Sequence, residues 1–409
     1  MDFQRFELRV ESGGEDGHLK LVWTATGPEG SWPAQPYEVS RGSLQQASEM
    51  VRGVLRRLAT LPDPAPEDQY QVVLCELFAR SDALCDNLFS AADGGQAIAD
   101  DARDLLRNAR SEAAAAQADP PSLEIILCDE TVHVPWGFVF DQEASDPPAK
   151  FTQSVEDLAD FWLICFKLGV RFQGGRSRLP KPGCAGGRSL YALHEDLFTR
   201  ARAALRKRSE ELDHRLDELL GGDALTATTW TDCRQHWRQI AEEYDSIVYM
   251  FGHSDGERII LADGREAVDA VLPASSFGTS FRKRSDTRTA SICILNGCRT
   301  AAPSASQPWP ASFLSATRRP GFFGFVGTET EVPNDFASRY GVKLLWRLCR
   351  EGQSLGDAFD ALRRESDLFP LNLLYTCFAN RNFRLPVAKP QMQGQRQMSQ
   401  IEPAHALCN

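Results

Sequence analysis

The spacing of hydrophobic positions divides the 409-residue chain into two differently patterned parts. In the first part, an alternating stretch with a glycine-rich turn predicts a hairpin over 6–25. Apolar residues at helical spacing then predict helices over 43–60, 69–90 and 95–117. The alanine-rich segment SEAAAAQADPP follows and predicts a linker. We therefore expect an N-terminal α+β extension over 1–120, acting as a regulatory or docking region.

From residue 121, short apolar runs alternate with longer amphipathic segments. Nearly continuous apolar runs are typical of strands that are covered on both faces, as in parallel sheets. Strands alternating with helices predict an α/β domain over 121–386, with a mostly parallel six-stranded sheet flanked by helices. The chain after 386 has no periodicity, so 387–409 is predicted to be a disordered tail. The predicted strands are 123–128, 189–193, 224–230, 246–251, 291–295 and 322–327, and the predicted helices are 196–220, 334–350 and 354–366.

Charge and hydropathy exclude some classes of partner. The net charge of −11 argues against direct nucleic-acid binding, and the basic cluster at 282–284 is expected to be a solvated loop. The longest uninterrupted apolar run has six residues, 161–166, whereas a membrane-spanning helix needs about 20. The N-terminus lacks a basic region followed by an apolar stretch, so we expect no secretory signal. Together these features predict a cytoplasmic protein without a membrane partner.

The cysteines favour the same compartment. Their number is odd, at 11, and the chain is long, so a disulfide framework is not expected. Neither a CxxC pair nor a Cys/His group at zinc-finger spacing occurs in the sequence, and we expect no metal and no cofactor. Most of the thiols should be small buried apolar groups.

One cysteine stands where chemistry is expected. Ligands bind beyond the carboxyl ends of parallel strands, and two predicted strands are followed by Gly252-His253 and Gly297-Cys298. An imidazole beside a thiol removes its proton and later protonates a leaving amine. Position and flanking glycines alone leave two interpretations equally open, a nucleophile and a buried structural cysteine.

Several ordered motifs carry a resemblance to a known family. LEIILCDETVHVPWGFVFD, IVYMFGHSDG, ICILNGCRTA, PGFFGFVGTETEVPNDFASRYGVKLLWRL, GQSLGDAFDALR and LLYTCFANRNFRL resemble successive segments of the CHAT domain, a caspase-like cysteine peptidase domain of the caspase and separase clan. The resemblance covers about 121–386 and implies a caspase-like fold. His253 and Cys298 are 45 residues apart, close to the spacing of about 50 in caspases.

The resemblance implies roles for individual residues. Cys298 is the nucleophile and His253 the general base, with an oxyanion held by the backbone N–H groups of Cys298 and of the residue after His253. That residue is Ser254 here, where the family has glycine. Asn296 lies where relatives that cut after basic residues carry an acid, which favours a neutral or apolar residue before the cut. Arg299 and Asp255 are further candidates for the substrate pocket.

The predicted function is a cysteine endopeptidase that cleaves a partner protein in a bacterial signalling or defence module. The family's usual TPR repeats are absent, so the sensor or activator would be a separate protein. An alternative is a catalytically idle scaffold that binds partner proteins, which Ser254 favours. A third interpretation is a small-molecule hydrolase or acyl transferase with the same dyad.

Overall fold

The computed structural model describes most of the chain up to residue 386. The described residues are 4–14, 17–28, 30–62, 65–92, 94–128, 133–143, 146–173, 187–262, 268–281, 289–302, 313 and 322–386. The predicted tail at 387–409 and the basic cluster at 282–284 lie outside them.

Strands form one large sheet and one small sheet in the described residues. The strands are β1 (Arg5–Ser12), β2 (His18–Gly27), β3 (Gly30–Ser40), β4 (Ser122–Leu127), β5 (Lys167–Phe172), β6 (Gly187–Leu193), β7 (Leu225–Ala227), β8 (Asp245–Phe251), β9 (His253–Ser254), β10 (Arg258–Ile260), β11 (Val271–Pro273), β12 (Ser291–Asn296), β13 (Gly324–Thr328) and β14 (Tyr375–Phe378).

Helices connect these strands. They are α1 (Arg41–Thr60), α2 (Glu67–Leu88), α3 (Gln96–Ala115), α4 (Trp162–Cys165), α5 (Glu195–Arg208), α6 (Glu210–Leu220), α7 (Trp230–Ile240), α8 (Ala274–Ser280), α9 (Asn334–Cys349) and α10 (Leu355–Arg363). The predicted helix over 196–220 is interrupted at Ser209, whose extended backbone and hydroxyl cap the start of α6.

The large sheet has the order β3-β2-β1-β4-β5-β14-β13-β12-β8-β6-β7. Three neighbouring pairs in this order are antiparallel, namely β3 with β2, β2 with β1, and β14 with β13. The other seven pairs are parallel. The predicted mostly parallel α/β sheet flanked by helices is therefore confirmed. In the described residues it has eleven strands, of which eight come from 121–386, where six were predicted.

The additional strands have a physical explanation. Three of them, β1, β2 and β3, belong to the N-terminal extension and pair with one another. They continue the large sheet because β1 pairs in parallel with β4. The hydrophobic pattern missed β5, which is short and holds Gly169 at its centre. A Cβ at Gly169 would lie 3.2 Å from the side chain of Arg381, so this strand is selected by tertiary contact rather than by its own apolar run.

The hydrophobic core is continuous across the predicted boundary at 120. Trp23 packs edge-on against Trp162 with ring centroids 6.3 Å apart. Phe6 contacts Phe166 in the same way at 6.5 Å. Trp136 is fully buried in this core, as expected for a tryptophan that follows a proline at a strand end. The N-terminal extension therefore shares its core with the rest of the sheet.

Candidate active site

The two strand ends singled out in the sequence meet at one edge of the sheet. β8 and β12 are parallel neighbours, and their register runs from Ser246 opposite Ser291 to Phe251 opposite Asn296. Because paired strands lie about 4.8 Å apart, the residues that follow emerge side by side. His253 and Cys298 each lie two positions beyond the last paired residue of their strand. The structure thus brings the loops that carry them together.

The glycines before His253 and Cys298 permit this approach. A Cβ at Gly297 would lie 2.8 Å from the carbonyl oxygen of Gly252 and 3.2 Å from the Cβ of Ser254. A Cβ at Gly252 would lie 2.5 Å from the carbonyl oxygen of Ile260. Real Cβ atoms do not approach backbone this closely. Glycine at both positions is therefore a packing requirement of the paired strand ends.

His253 begins a small hairpin, in which β9 pairs with β10. The hydroxyl of Ser254 accepts a hydrogen bond from the Gly256 amide at 3.2 Å. Gly256 adopts a φ of 88°, a conformation that glycine tolerates best. The side chain of Ser254 thus stabilises the turn, while His253 is exposed at the site.

Asp255 also stabilises this hairpin. Its carboxylate accepts hydrogen bonds from the amides of Glu257 and Arg258, both at 3.0 Å, and from the Arg258 Nε at 2.8 Å. Although burial opposes it, these hydrogen bonds hold the pKa of Asp255 below its usual value. Asp255 therefore stabilises the turn.

Cys298 is partly buried in this structure. Its Sγ donates to the carbonyl oxygen of Val332 at 3.8 Å. Burial raises the pKa of the thiol, and the Glu331 carboxylate raises it further. Arg299 follows with a φ of 55°, which is uncommon for a residue other than glycine. The sharp backbone turn after the strand is thus formed at the residue that follows the cysteine.

The end of β13 and the residues that follow it stabilise the loop of Cys298 through hydrogen bonds. We call residues 297–301 the nucleophile loop and residues 328–332 the exit segment. Buried hydroxyl groups and backbone amides bond the two at nearly every position, so they form one unit. The hydrogen bonds are Arg299 N to Thr330 O (3.1 Å), Ala301 N to Thr328 O (2.9 Å), Thr328 N to Thr300 Oγ1 (3.0 Å) and Thr328 Oγ1 to Gly297 O (2.6 Å).

Asn296 lies below the site rather than in it. Only 2% of its surface is exposed. Its Nδ2 donates to the Tyr249 hydroxyl at 2.6 Å and to the Ala337 carbonyl at 2.7 Å. The Tyr375 hydroxyl donates to its Oδ1 at 2.5 Å. These contacts give Asn296 a structural role that joins β8, β12, β14 and α9.

Arg299 lies at the rim of the site. Its side chain is 24% exposed, and its Nε lies 4.0 Å from the Glu331 Oε1. Glu331 also pairs with Arg56 of α1, at 3.4 Å. A partly exposed set of opposite charges therefore borders the nucleophile.

The sequence-based reasoning missed His194, a second histidine beside His253. β6 is the other neighbour of β8, and Leu193 lies opposite Phe251. His194 follows directly, is fully buried, and donates its amide to the Phe251 carbonyl at 2.8 Å. Its ring meets the His253 ring edge-on, with centroids 5.3 Å apart. The strand-end rule applied to the predicted strand 189–193 would have found it.

Within the described residues, no group of three or more His, Cys, Asp and Glu side chains is arranged to hold a metal. Nine of the cysteines are described, and none of them is in a disulfide. No described helix is both long and apolar enough to cross a bilayer.

Comparisons with known proteins reveal similarity only at the level of structure. No protein-family model and no curated protein matches the chain. A solved protease structure is 10% identical over 77% of this chain and 76% of its own, with a TM-score of 0.44. The Arg-specific cysteine proteinase gingipain R is 9% identical over 69% and 68%, with a TM-score of 0.43.

A third similar structure is the Saccharomyces cerevisiae separase–securin complex. It is 8% identical, covers 94% of this chain and 30% of that chain, and has a TM-score of 0.46. All three TM-scores are below 0.5 and the identities do not exceed 10%. The comparisons therefore describe a general likeness to solved proteases, without assigning a role to any residue or a family to the chain.

Proposed function

We propose that this protein is a cysteine endopeptidase of the caspase-like CHAT type, with Cys298 as nucleophile and His253 as general base. One observation carries the proposal. Two parallel neighbouring strands end in register at the same sheet edge, one in Gly-His and the other in Gly-Cys, and their loops are in contact. Nucleophilic catalysis by a thiol needs a base close to it, and two strand ends in this register can supply both groups.

The reaction follows from these groups. His253 takes the thiol proton as the sulfur of Cys298 bonds to the carbonyl carbon of the substrate. The backbone N–H groups of Cys298 and Ser254 hold the oxyanion. His253 then protonates the leaving amine, and the C–N bond breaks to leave a thioester. Water, deprotonated by His253, hydrolyses the thioester and restores the thiol, without a metal or an organic cofactor.

The raised pKa of Cys298 favours an enzyme that is latent in this conformation. Thiolate formation must then accompany binding of the substrate itself, so that a peptide alone can trigger it. We place this activity in the cytoplasm, in a bacterial signalling or defence module. Buried hydrogen bonds to Tyr249, Ala337 and Tyr375 engage the Asn296 amide, so the proposal names no residue preference at the cut.

A peptide-library digest tests the proposal. The full chain is incubated with proteome-derived peptides, and new termini are identified by mass spectrometry. We expect cleavage by the wild type and none by Cys298→Ala. Cys349→Ala is the matched control, since Cys349 lies against Ser189 near the start of β6, at the opposite sheet edge. Cleavage that persists in Cys298→Ala would refute the assignment.

A second candidate function is an idle scaffold that binds partner proteins. It is favoured by the raised pKa of the Cys298 thiol and by the use of the Ser254 side chain in a turn. Alkylation with iodoacetamide at increasing pH separates the two. In an assembled dyad, His253→Ala raises the pH at which Cys298 reacts. In a scaffold, the same variant leaves the alkylation profile of Cys298 unchanged, both in the free chain and with the peptides present.

A further inference from the structure

A buried ion pair links the N-terminal extension to the candidate active site. Arg52 of α1 donates through Nε to the Glu329 Oε2 at 3.0 Å. The two side chains are 3% and 0% exposed, although 277 residues separate them in the sequence. Glu329 belongs to the exit segment. The pair therefore joins α1 to the segment that holds the nucleophile loop.

Both partners are fixed by further hydrogen bonds. Arg52 also donates to the Glu49 carboxylate at 2.8 Å and to the His133 carbonyl at 2.9 Å. The other carboxylate oxygen of Glu329 accepts from the Thr376 hydroxyl at 2.8 Å, and its amide donates to the Leu374 carbonyl at 2.9 Å. This geometry leaves the guanidinium and the carboxylate little freedom to rearrange separately.

Hydrogen bonds of the exit segment connect this ion pair to the loop of Cys298. Directly before and after Glu329, Thr328 bonds to Gly297, Thr300 and Ala301, and Thr330 accepts from the Arg299 amide. The thiol itself donates to the Val332 carbonyl. A displacement of Glu329 therefore disturbs hydrogen bonds on both sides of the nucleophile.

We propose that Arg52 is a positioning residue for Cys298, through which helix α1 sets the conformation of the nucleophile loop. That the position of Cys298 matters for catalysis rests on the proposed function. The connection from α1 to the nucleophile loop rests only on the contacts described above. On this proposal the N-terminal extension is built into the active site, and a partner that shifts α1 would change the reactivity of Cys298.

The physical reason is the cost of an unpaired buried charge. Without the guanidinium, the Glu329 carboxylate must take up a proton or reach water. Reaching water means leaving the buried position beside Thr376, which pulls the exit segment away from the nucleophile loop. A neutral Arg52 variant should thus loosen residues 297–301 selectively, rather than the fold as a whole.

Hydrogen–deuterium exchange on the full chain tests this link. Arg52→Met is compared with Arg103→Met, a control that also removes a guanidinium from a pair across the boundary at 120 (Arg103 with Asp141, 12% and 8% exposed, 2.7 Å) but leaves Asp141 paired with Arg107. We expect exchange in peptides covering 297–301 to rise by about tenfold or more in Arg52→Met only. The rate and pH profile of Cys298 alkylation by iodoacetamide should change in the same variant.

Two further variants keep the test decisive if Arg52→Met folds poorly. Arg52→Lys retains a cation, and Arg52→Met combined with Glu329→Gln removes both charges. Both should restore protection of 297–301 toward the wild-type level. Equal exchange in the Arg52 and Arg103 variants, no change in either, or no restoration would overturn the proposal.

The outcomes also separate this inference from the proposed function. If the wild type cleaves no peptide while Arg52→Met still loosens the nucleophile loop, the peptidase assignment fails and the positioning role stands. If the wild type cleaves and Arg52→Met leaves both exchange and alkylation unchanged, only the positioning role fails.

Discussion

Replacement of Asn296 by leucine is the sharpest test of how the site is supported. The sequence suggested a role for Asn296 in substrate preference, whereas the structure places it in a buried network with Tyr249, Tyr375 and Ala337. Leucine has the same branching as asparagine but a larger volume, and it cannot form these hydrogen bonds. The substitution therefore removes the network while it keeps the branched shape of the side chain.

The expected magnitude follows from the groups left without partners. A buried polar group that loses its partner costs about 1–3 kcal/mol. Three such groups are affected, while the added apolar surface of leucine returns about 1–2 kcal/mol. We expect the free energy of unfolding of Asn296→Leu to fall by about 1–8 kcal/mol.

Urea unfolding, followed by tryptophan fluorescence, measures this change. Asn382→Leu is the matched control, because Asn382 is exposed and a surface change there should stay within about 0.5 kcal/mol. Tyr249→Phe and Tyr375→Phe each remove one hydroxyl and should cost less than Asn296→Leu. If Asn296→Leu is as stable as the control but changes which peptides are cleaved, the structural role is wrong and the specificity role is right.

Three other predictions concern the loops and the buried thiols. Gly297→Ala should lower the free energy of unfolding by about 1–3 kcal/mol, since its Cβ would lie 2.8 Å from a carbonyl oxygen; an unchanged urea midpoint would contradict the packing argument. Ser254→Gly should leave peptide cleavage within about threefold of wild type, because the backbone N–H rather than the side chain holds the oxyanion; a loss of about a hundredfold would contradict this. Burial raises the pKa of Cys233 to about 12 and that of Cys349 to about 11, from an ordinary value of 9.0. Above about pH 9, therefore, the unfolded chain loses these thiol protons while the folded chain keeps them. The free energy of unfolding should fall with rising pH up to about 11–12. Urea midpoints at about pH 8, 9 and 10 measure this, and a midpoint that stays constant or rises would refute it.

The local pattern determined most of the elements and pointed to the two side chains of the candidate dyad. Apolar runs at 246–251 and 291–295 correspond closely to β8 and β12, because strands buried on both faces need apolar residues at every position. The glycines before His253 and Cys298 also mark the candidate site in the sequence. Strand ends that pack this closely leave no room for a Cβ, so both positions need glycine. Sequence reasoning could therefore locate the candidate dyad without any tertiary information.

Only the tertiary structure decided how the site is held. Arg52 and Glu329 are far apart in the sequence, and nothing in their neighbourhoods marks either as buried, because the burial of a charge depends on a partner that another segment supplies. The same holds for Asn296, whose partners come from three different elements. Hydrophobic periodicity records which face of an element is covered, whereas polar pairing across the sheet depends on the register and order of strands, which the chain acquires only on folding.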